Sequence, residues 1–456
     1  MSPLWLVALG FVVVLAGLLA LRLHAFLAML LAAVVVSLFT PVDALRSFAD
    51  HEVKKERLTA KQAQDFVESS APERVATAFG ETCGKVGVLI ALASIVGKCL
   101  LDSGAAMRIV QGMLALFGQA RVHVAFVFTG FTLAIPVFFD AVFYLLMPIG
   151  KAMARTTKKN YLLYILTIVA GATMAHSLVP PTPGPLFAAK ALGVDIGTMM
   201  AGGLFVGLFT ASFGLVYAIW ANKRWEIALP PDAAAAADET TTVLPPLWLS
   251  MLPILLPVAL ITYGALAQEF WFTDSNMALG LGAVTGLWLL TKHRKPGESV
   301  PDAVQDAIMS GATVVLITSA GGAFGAMLRH TGIAELIQQL GSGGARMWAL
   351  PLCFAITSLV RIAQGSATVA MITVAPIAKA FLDTGDLGFH PVYLALAVGC
   401  GSKPIPWMND SGFWIITRMS GMKEMETLKI VTPMMSLMGV VGLPVVMFGA
   451  WLWPMS

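Results

Sequence analysis

The chain alternates long apolar blocks with short polar joints. Eight uninterrupted apolar runs, at 4–21, 25–41, 84–101, 196–221, 247–267, 277–291, 311–328 and 430–453, approach or reach the roughly 20 residues that a helix needs to cross a bilayer. Four further stretches, 122–155, 160–192, 347–382 and 391–416, are comparably apolar but carry Gly, Pro or a charge in the middle. The pattern predicts membrane-crossing helices, some of them broken at mid-depth.

Composition turns that pattern into a solvent assignment. Apolar residues make up 57% of the 456 and charged residues 12%, about half of the roughly 25% typical of soluble proteins. Mean hydropathy is +0.80. A soluble multidomain enzyme is excluded, and the fold expected is an all-α polytopic membrane protein with the lipid bilayer as its first partner. The net charge of +3 is small and its basic residues are scattered, so no nucleic acid is expected as a partner. Cys83, Cys99, Cys353 and Cys400 lie far apart, a spacing that suggests packing and neither a metal cage nor a disulfide framework. The first run starts at Pro3 with no basic segment before it, as a retained span does and a cleaved signal does not.

Shifting the chain by 228 residues, half its length, superimposes Gly97 on Gly325, Gly104 on Gly332, Gly171 on Gly399 and Gly184 on Gly412. It also lays Pro148-Ile149-Gly150-Lys151-Ala152 over Pro376-Ile377-Ala378-Lys379-Ala380. Duplications of this kind are typical of transporters. The expected organisation is a first repeat over 1–228, a cytoplasmic Ala-rich linker over 229–246 and a second repeat over 247–456. With 122–155 and 347–382 as re-entrant hairpins, each repeat has about five transmembrane helices, one of them broken. An odd number of crossings inverts the second repeat. Under that topology one side of the membrane collects fifteen Lys and Arg, among them Lys151, Arg155, Lys223 and Arg224, against four, Lys190, Arg329, Arg346 and Lys379, on the other. The first side is then cytoplasmic, and the polar stretch 43–83 becomes a solvated extracytoplasmic loop.

Four breaks interrupt the apolar stretches: Ile135–Asp140, Ser177–Pro185, Gln364–Thr368 and Pro404–Gly412. Backbone that leaves the helix at membrane depth needs protein or a water-filled cavity to satisfy it, so the four are expected to meet at one cavity. A half-helix starts after each, and its free N–H groups and dipole favour an anion. Ordinary Pro kinks are the alternative for any single break.

Several segments resemble the gluconate:proton symporter family of the wider ion transporter superfamily: Gly322-Ala323-Phe324, Pro180-Pro181-Thr182-Pro183-Gly184-Pro185, the run Leu359 to Ala370, and Asn409-Asp410-Ser411-Gly412-Phe413-Trp414. The likeness covers nearly the whole chain apart from 43–83. It implies uptake of a small hydroxy-carboxylate such as gluconate with a proton as coupling ion, no cofactor, residence in the cytoplasmic membrane, a two-hairpin inverted-repeat fold and a homodimer. The sequence departs from the family pattern at Thr182 (usually His), Asp140 (usually Glu), Ser411 (usually Pro) and Pro406-Trp407 (usually Ser-His), all inside the proposed site.

Asp140, Thr182, Gly184, Arg361, Ser366, Thr368, Asn409, Asp410 and Ser411 are the candidate substrate contacts, with Asp140 and His176 as candidate proton carriers. A charged Asp at the bilayer centre costs about 2.5–3.5 kcal/mol on insertion scales, so Asp140 needs a proton, a cavity or a structural partner. His176 titrates near neutral pH when free, or is a satisfied structural residue. Arg361 either grips a carboxylate through a bidentate fork or pairs with Asp140 or Asp410; Lys403 is a second basic candidate. For the hydroxyl and amide residues, capping a half-helix competes with binding substrate hydroxyls. A sodium-coupled or antiporting carrier of another small anion or an amino acid, such as glycerate or D-serine, is the alternative. No HExxH, P-loop or nucleophile elbow occurs, so the chain is not expected to be an enzyme.

Overall fold

The computed structural model describes residues 2–54, 58–157, 159–230, 244–266, 270–294, 299–332, 345–383 and 387–455. Among them the regular structure is entirely helical. The first half runs α1 (Pro3–Leu15), continued by a π-helical stretch at Ala16–Ala20, α2 (Ala25–Phe39), α3 (Val42–Lys54), α4 (Ala60–Glu68), α5 (Ala71–Asp102), α6 (Ala105–Phe117), α7 (Val122–Leu133), α8 (Phe139–Thr157), α9 (Tyr161–Leu178), α10 (Pro183–Leu192) and α11 (Ile196–Arg224). The second half contributes α12 (Leu247–Leu266), α13 (Ser275–His293), α14 (Val300–His330), α15 (Ala349–Gln364), α16 (Ala367–Asp383), α17 (Val392–Gly401), α18 (Ser411–Ser420) and α19 (Glu424–Leu452). Among the described residues six helical segments are long and apolar enough to cross a membrane, α9 and α10 counting as one across their break. Their outward faces are apolar, as Phe205, Val216 and Trp220 of α11 illustrate, which suits hydrocarbon and not water.

The expected loop at 43–83 is corrected: it is largely helical. Thr59 with Gln62, and Ser70 with Glu73, form capping boxes that start α4 and α5, each satisfying two otherwise orphaned end groups. Its polar residues hid an amphipathic pattern whose inward positions, Leu45, Ala49 and Ala63, are buried. At Thr40–Pro41 the chain turns by 100° between α2 and α3. Of the expected linker, residues 231–243 lie outside the described residues.

Helix bounds recur at the 228-residue offset. Shifted, α10 becomes 411–420 and α11 becomes 424–452, the bounds of α18 and α19. Shifted α8 begins at 367, where α16 begins. The turn glycines match as well: Gly104 and Gly332 have φ 74° and 79°, Gly193 and Gly421 70° and 71°, left-handed values that favour glycine. Where α11 packs on α19 the contacts are reciprocal. A Cβ at Gly214 would meet Met438 and one at Gly442 would meet Thr210, and 210 and 438 are themselves 228 apart.

α9 and α17 lie innermost. Every residue of α17 is buried, and every residue of α9 except His176. These are the helices that end at the second and fourth breaks, so the interruptions sit inside protein, where freed backbone groups find partners.

Candidate functional site

Each break has a local cause. α7 stops before Pro136, which has no N–H to give and disfavours helix at Ile135. Val179, ahead of Pro180, is extended with φ −113° and ψ 116°, and Pro183 then starts α10 at a position where its missing N–H is harmless. Gly365 ends α15 in the left-handed region at φ 85°, its N–H reaching Arg361 O at 2.9 Å. Ser366 Oγ then accepts from Val369 N at 3.3 Å at the start of α16. Beyond α17 the chain passes Pro404 and Pro406 until Asp410 caps α18, accepting from Gly412 N at 2.9 Å.

The four breaks surround a cavity of about 270 Å³, near the small end of ligand pockets. Phe138, Asp140, Thr173, His176, Pro183, Arg361, Ser366, Thr368, Lys403, Asp410 and Ser411 all face it, and Val314 and Ile317 of α14 supply an apolar wall. Of the sequence candidates, Asp140, His176, Arg361, Ser366, Thr368, Asp410 and Ser411 therefore share one space. Thr182, Gly184 and Asn409 are not among its lining residues. Thr182 Oγ1 donates to Val179 O at 2.6 Å, closing its own turn. Gly184 packs so tightly on Met371 of α16 that a Cβ would press on its sulfur.

The charges in the cavity are unequally tied. Arg361, 2% exposed, donates to Asp410 Oδ2, to Gly365 O and, at 3.1 Å, to Ser402 O. Of the alternatives open for Arg361, the pair with Asp410 is the one the fold forms; its fork is committed to the protein and is not free to clamp a ligand. Lys403, also 2% exposed, reaches across from the fourth break to donate to Thr173 O on α9 at 2.6 Å. Asp140 makes no ion pair or hydrogen bond among the described residues. His176 stacks edge-on to Phe138, ring centroids 6.1 Å apart, and its Nδ1 is buried without a partner. Formally, one Arg, one Lys and two Asp cancel.

The second and fourth breaks differ in how they are held. Asn409 Nδ2 donates to Ile362 O at 2.8 Å and Ala363 O at 3.0 Å, and Trp407 Nε1 donates to Ile362 O at 2.7 Å. These bonds satisfy the carbonyls that the end of α15 leaves open. A Cβ on Gly365 would collide with the Asn409 backbone. The 402–410 segment thus clasps the tip between α15 and α16, and Asn409 acts on that tip and not on the cavity. Thr173, used through its carbonyl, carries little sequence signal; Lys403 stood among the basic candidates, but its reach to α9 depends on packing. Among the described residues no three His, Cys, Asp or Glu side chains gather as metal ligands.

Residues 69–452 match the model of the GntP family permeases. The gluconate permease of Pseudomonas aeruginosa is 32% identical over 384 residues, 80% of this chain and 84% of that one. The low-affinity gluconate transporter of Escherichia coli is 28% identical over 443 residues, 92% of each chain. Among solved structures, the YdaH transporter of Alcanivorax borkumensis superimposes with a TM-score of 0.60 at 16% identity, over 88% of this chain and 91% of that one, a likeness of fold alone.

Proposed function

We propose, for a chain that belongs to the GntP permease family, that it imports a small hydroxy-carboxylate such as gluconate together with a proton across the cytoplasmic membrane. The observation that carries this reading is the inequality of the two aspartates: Asp410 is locked to Arg361 while Asp140 faces the same cavity with no partner. An arriving carboxylate adds one negative charge to a site that is formally neutral. A proton on Asp140 restores the balance, so anion and proton favour each other's binding. Across the membrane, a lone anion entering the cell works against about 2.3 kcal/mol per 100 mV, and one accompanying proton cancels that cost. Lys403 supplies the cation that the carboxylate meets, and its bond to the Thr173 carbonyl gives way to an ion pair. Ser366, Thr368 and Ser411 stand within the same walls for the hydroxyls. The half-helices α8, α16 and α18 present their N-terminal ends to the cavity and add partial positive charge.

The halves work as an inverted repeat with a re-entrant hairpin in each; the shared helix bounds and the reciprocal α11–α19 contacts support this arrangement. In proteoliposomes, labelled gluconate is expected to accumulate on an imposed inward proton gradient, unchanged when choline replaces sodium. Asp140→Asn is expected to abolish gradient-driven accumulation while retaining exchange of internal for external gluconate. Gradient-driven accumulation by this variant would remove Asp140 as the proton carrier.

A further inference from the structure

A second cavity of about 820 Å³ lies at the other end of the helices that wall the first. On α10, Pro183 faces the central cavity, and Phe187 and Lys190 face the outer one. On α16, Ile372 faces the central cavity, and Pro376 and Lys379 face the outer one. Steps of four and three residues keep each set on one helical face, so both stripes run from one cavity to the other and end on a lysine. From Thr368 to Lys379 the climb is roughly 16 Å at 1.5 Å per residue. Between the two, Gly184 against Met371 and Gly321 against Ile372 close the packing.

The charge lining the outer cavity is the unusual feature. Arg74, Lys85, Lys190, Arg329 and Lys379 border it, outnumbering Glu52, Asp65 and Glu81. Lys190, Arg329 and Lys379 are three of the four basic residues that stand on the side the charge rule leaves poor in Lys and Arg, and all three converge here. The acids Glu52 and Asp65 belong to α3 and α4; Glu81 shares α5 with Arg74 and Lys85, and the other three basic side chains stand on α10, α14 and α16. A second feature points to a ligand. His330, 7% exposed, is held between Phe48 of α3 and Phe66 of α4, with ring centroids at 4.6 and 4.8 Å, and its Nδ1 has no partner among the described residues.

We infer that the outer cavity is a second binding site for small carboxylates, a vestibule that gathers the anion beside α3 and α4 before it moves along α10 and α16 to the central cavity. The inference rests on the proposed import of an organic anion. A cleft with a surplus of one charge sign concentrates the opposite charge and speeds its arrival. Its effect therefore falls on KM and on ionic strength, and not on the rate of the loaded carrier.

Two measurements test it. In the purified protein with Cys83→Ser, Thr77→Cys places a thiol on the vestibule wall, and the rates of its modification by anionic sulfonatoethyl and cationic trimethylammonioethyl methanethiosulfonates are compared. The anionic-to-cationic ratio is expected to fall about tenfold on Lys190→Gln plus Arg329→Gln, and gluconate is expected to slow the anionic reagent only where both charges remain. An unchanged ratio, or the absence of protection by gluconate, overturns the site. In cells without another gluconate carrier, the same double variant is expected to raise KM about three- to tenfold at low ionic strength with Vmax unchanged, whereas Lys190→Arg plus Arg329→Lys retains the KM of the parent. An unchanged KM denies the vestibule its feeding role. A parent chain that carries no gluconate contradicts the import reading, and the thiol measurement still decides whether the vestibule attracts anions.

Discussion

Five titratable side chains enter the central cavity, and at each the residue 228 places away in the other half is uncharged: Asp140 answers to Thr368, His176 to Pro404, Arg361 to Leu133, Lys403 to Ala175 and Asp410 to Thr182. The two halves thus share a plan of helix breaks and divide the chemistry. The first half contributes an acid and an imidazole that no other side chain among the described residues hydrogen-bonds. The second contributes both cations and an acid already spoken for by Arg361. Breaks recur because Pro and Gly impose them on the local backbone wherever they stand. Charges do not recur: duplicating them would put twice as many ions in one small space, where each unpaired one is costly, and Asp140 already stands there without a partner among the described residues.

This division can be broken from its tightest member outward. Asp410→Ala strands Arg361 among buried groups and is expected to lower stability by about 3–5 kcal/mol, read as thermal unfolding in detergent, with Arg361→Leu plus Asp410→Leu recovering more than half. A loss below about 1 kcal/mol for the single change would deny the pair its locking role. Lys403→Met removes the cation proposed to meet the carboxylate, and a charge-assisted bond is worth about 1.5–3 kcal/mol. Gluconate kcat/KM should fall roughly 10- to 100-fold; an unaltered value assigns Lys403 to the Thr173 contact alone. Asn409→Ala opens the clasp on the α15 tip and should cost about 1–2 kcal/mol in the same unfolding measurement, with KM little changed. A KM effect larger than the stability effect would return Asn409 to the binding site. Smallest of all, Thr182→Val should leave gluconate KM within about twofold, since its hydroxyl closes a turn away from the cavity; a large rise in KM would make the halves more alike in function than their side chains suggest.

The four interruptions were legible without coordinates because a helix end is written into its own residues. Pro136, Pro180 and Gly365 end helices by covalent geometry, and their effect does not depend on what lies across the bundle. For the same reason the shared Gly and Pro punctuation at one offset anticipated helix bounds that recur at that offset. The stretch at 43–83 misled because its inward apolar face is small, Leu45, Ala49 and Ala63, and becomes meaningful only once α14 offers His330 for Phe48 and Phe66 to enclose. Arg361 had three possible roles in the sequence and one in the structure, and Asn409 and Thr182 exchanged an expected ligand for a backbone carbonyl. Which polar groups enter the helix breaks was fixed along the chain. Which of them remain free for a ligand was decided mainly by tertiary structure, because a buried donor takes the nearest acceptor: for Thr182 that is Val179 in its own turn, but for Arg361, Asn409 and Lys403 segments tens to hundreds of residues away bring it close.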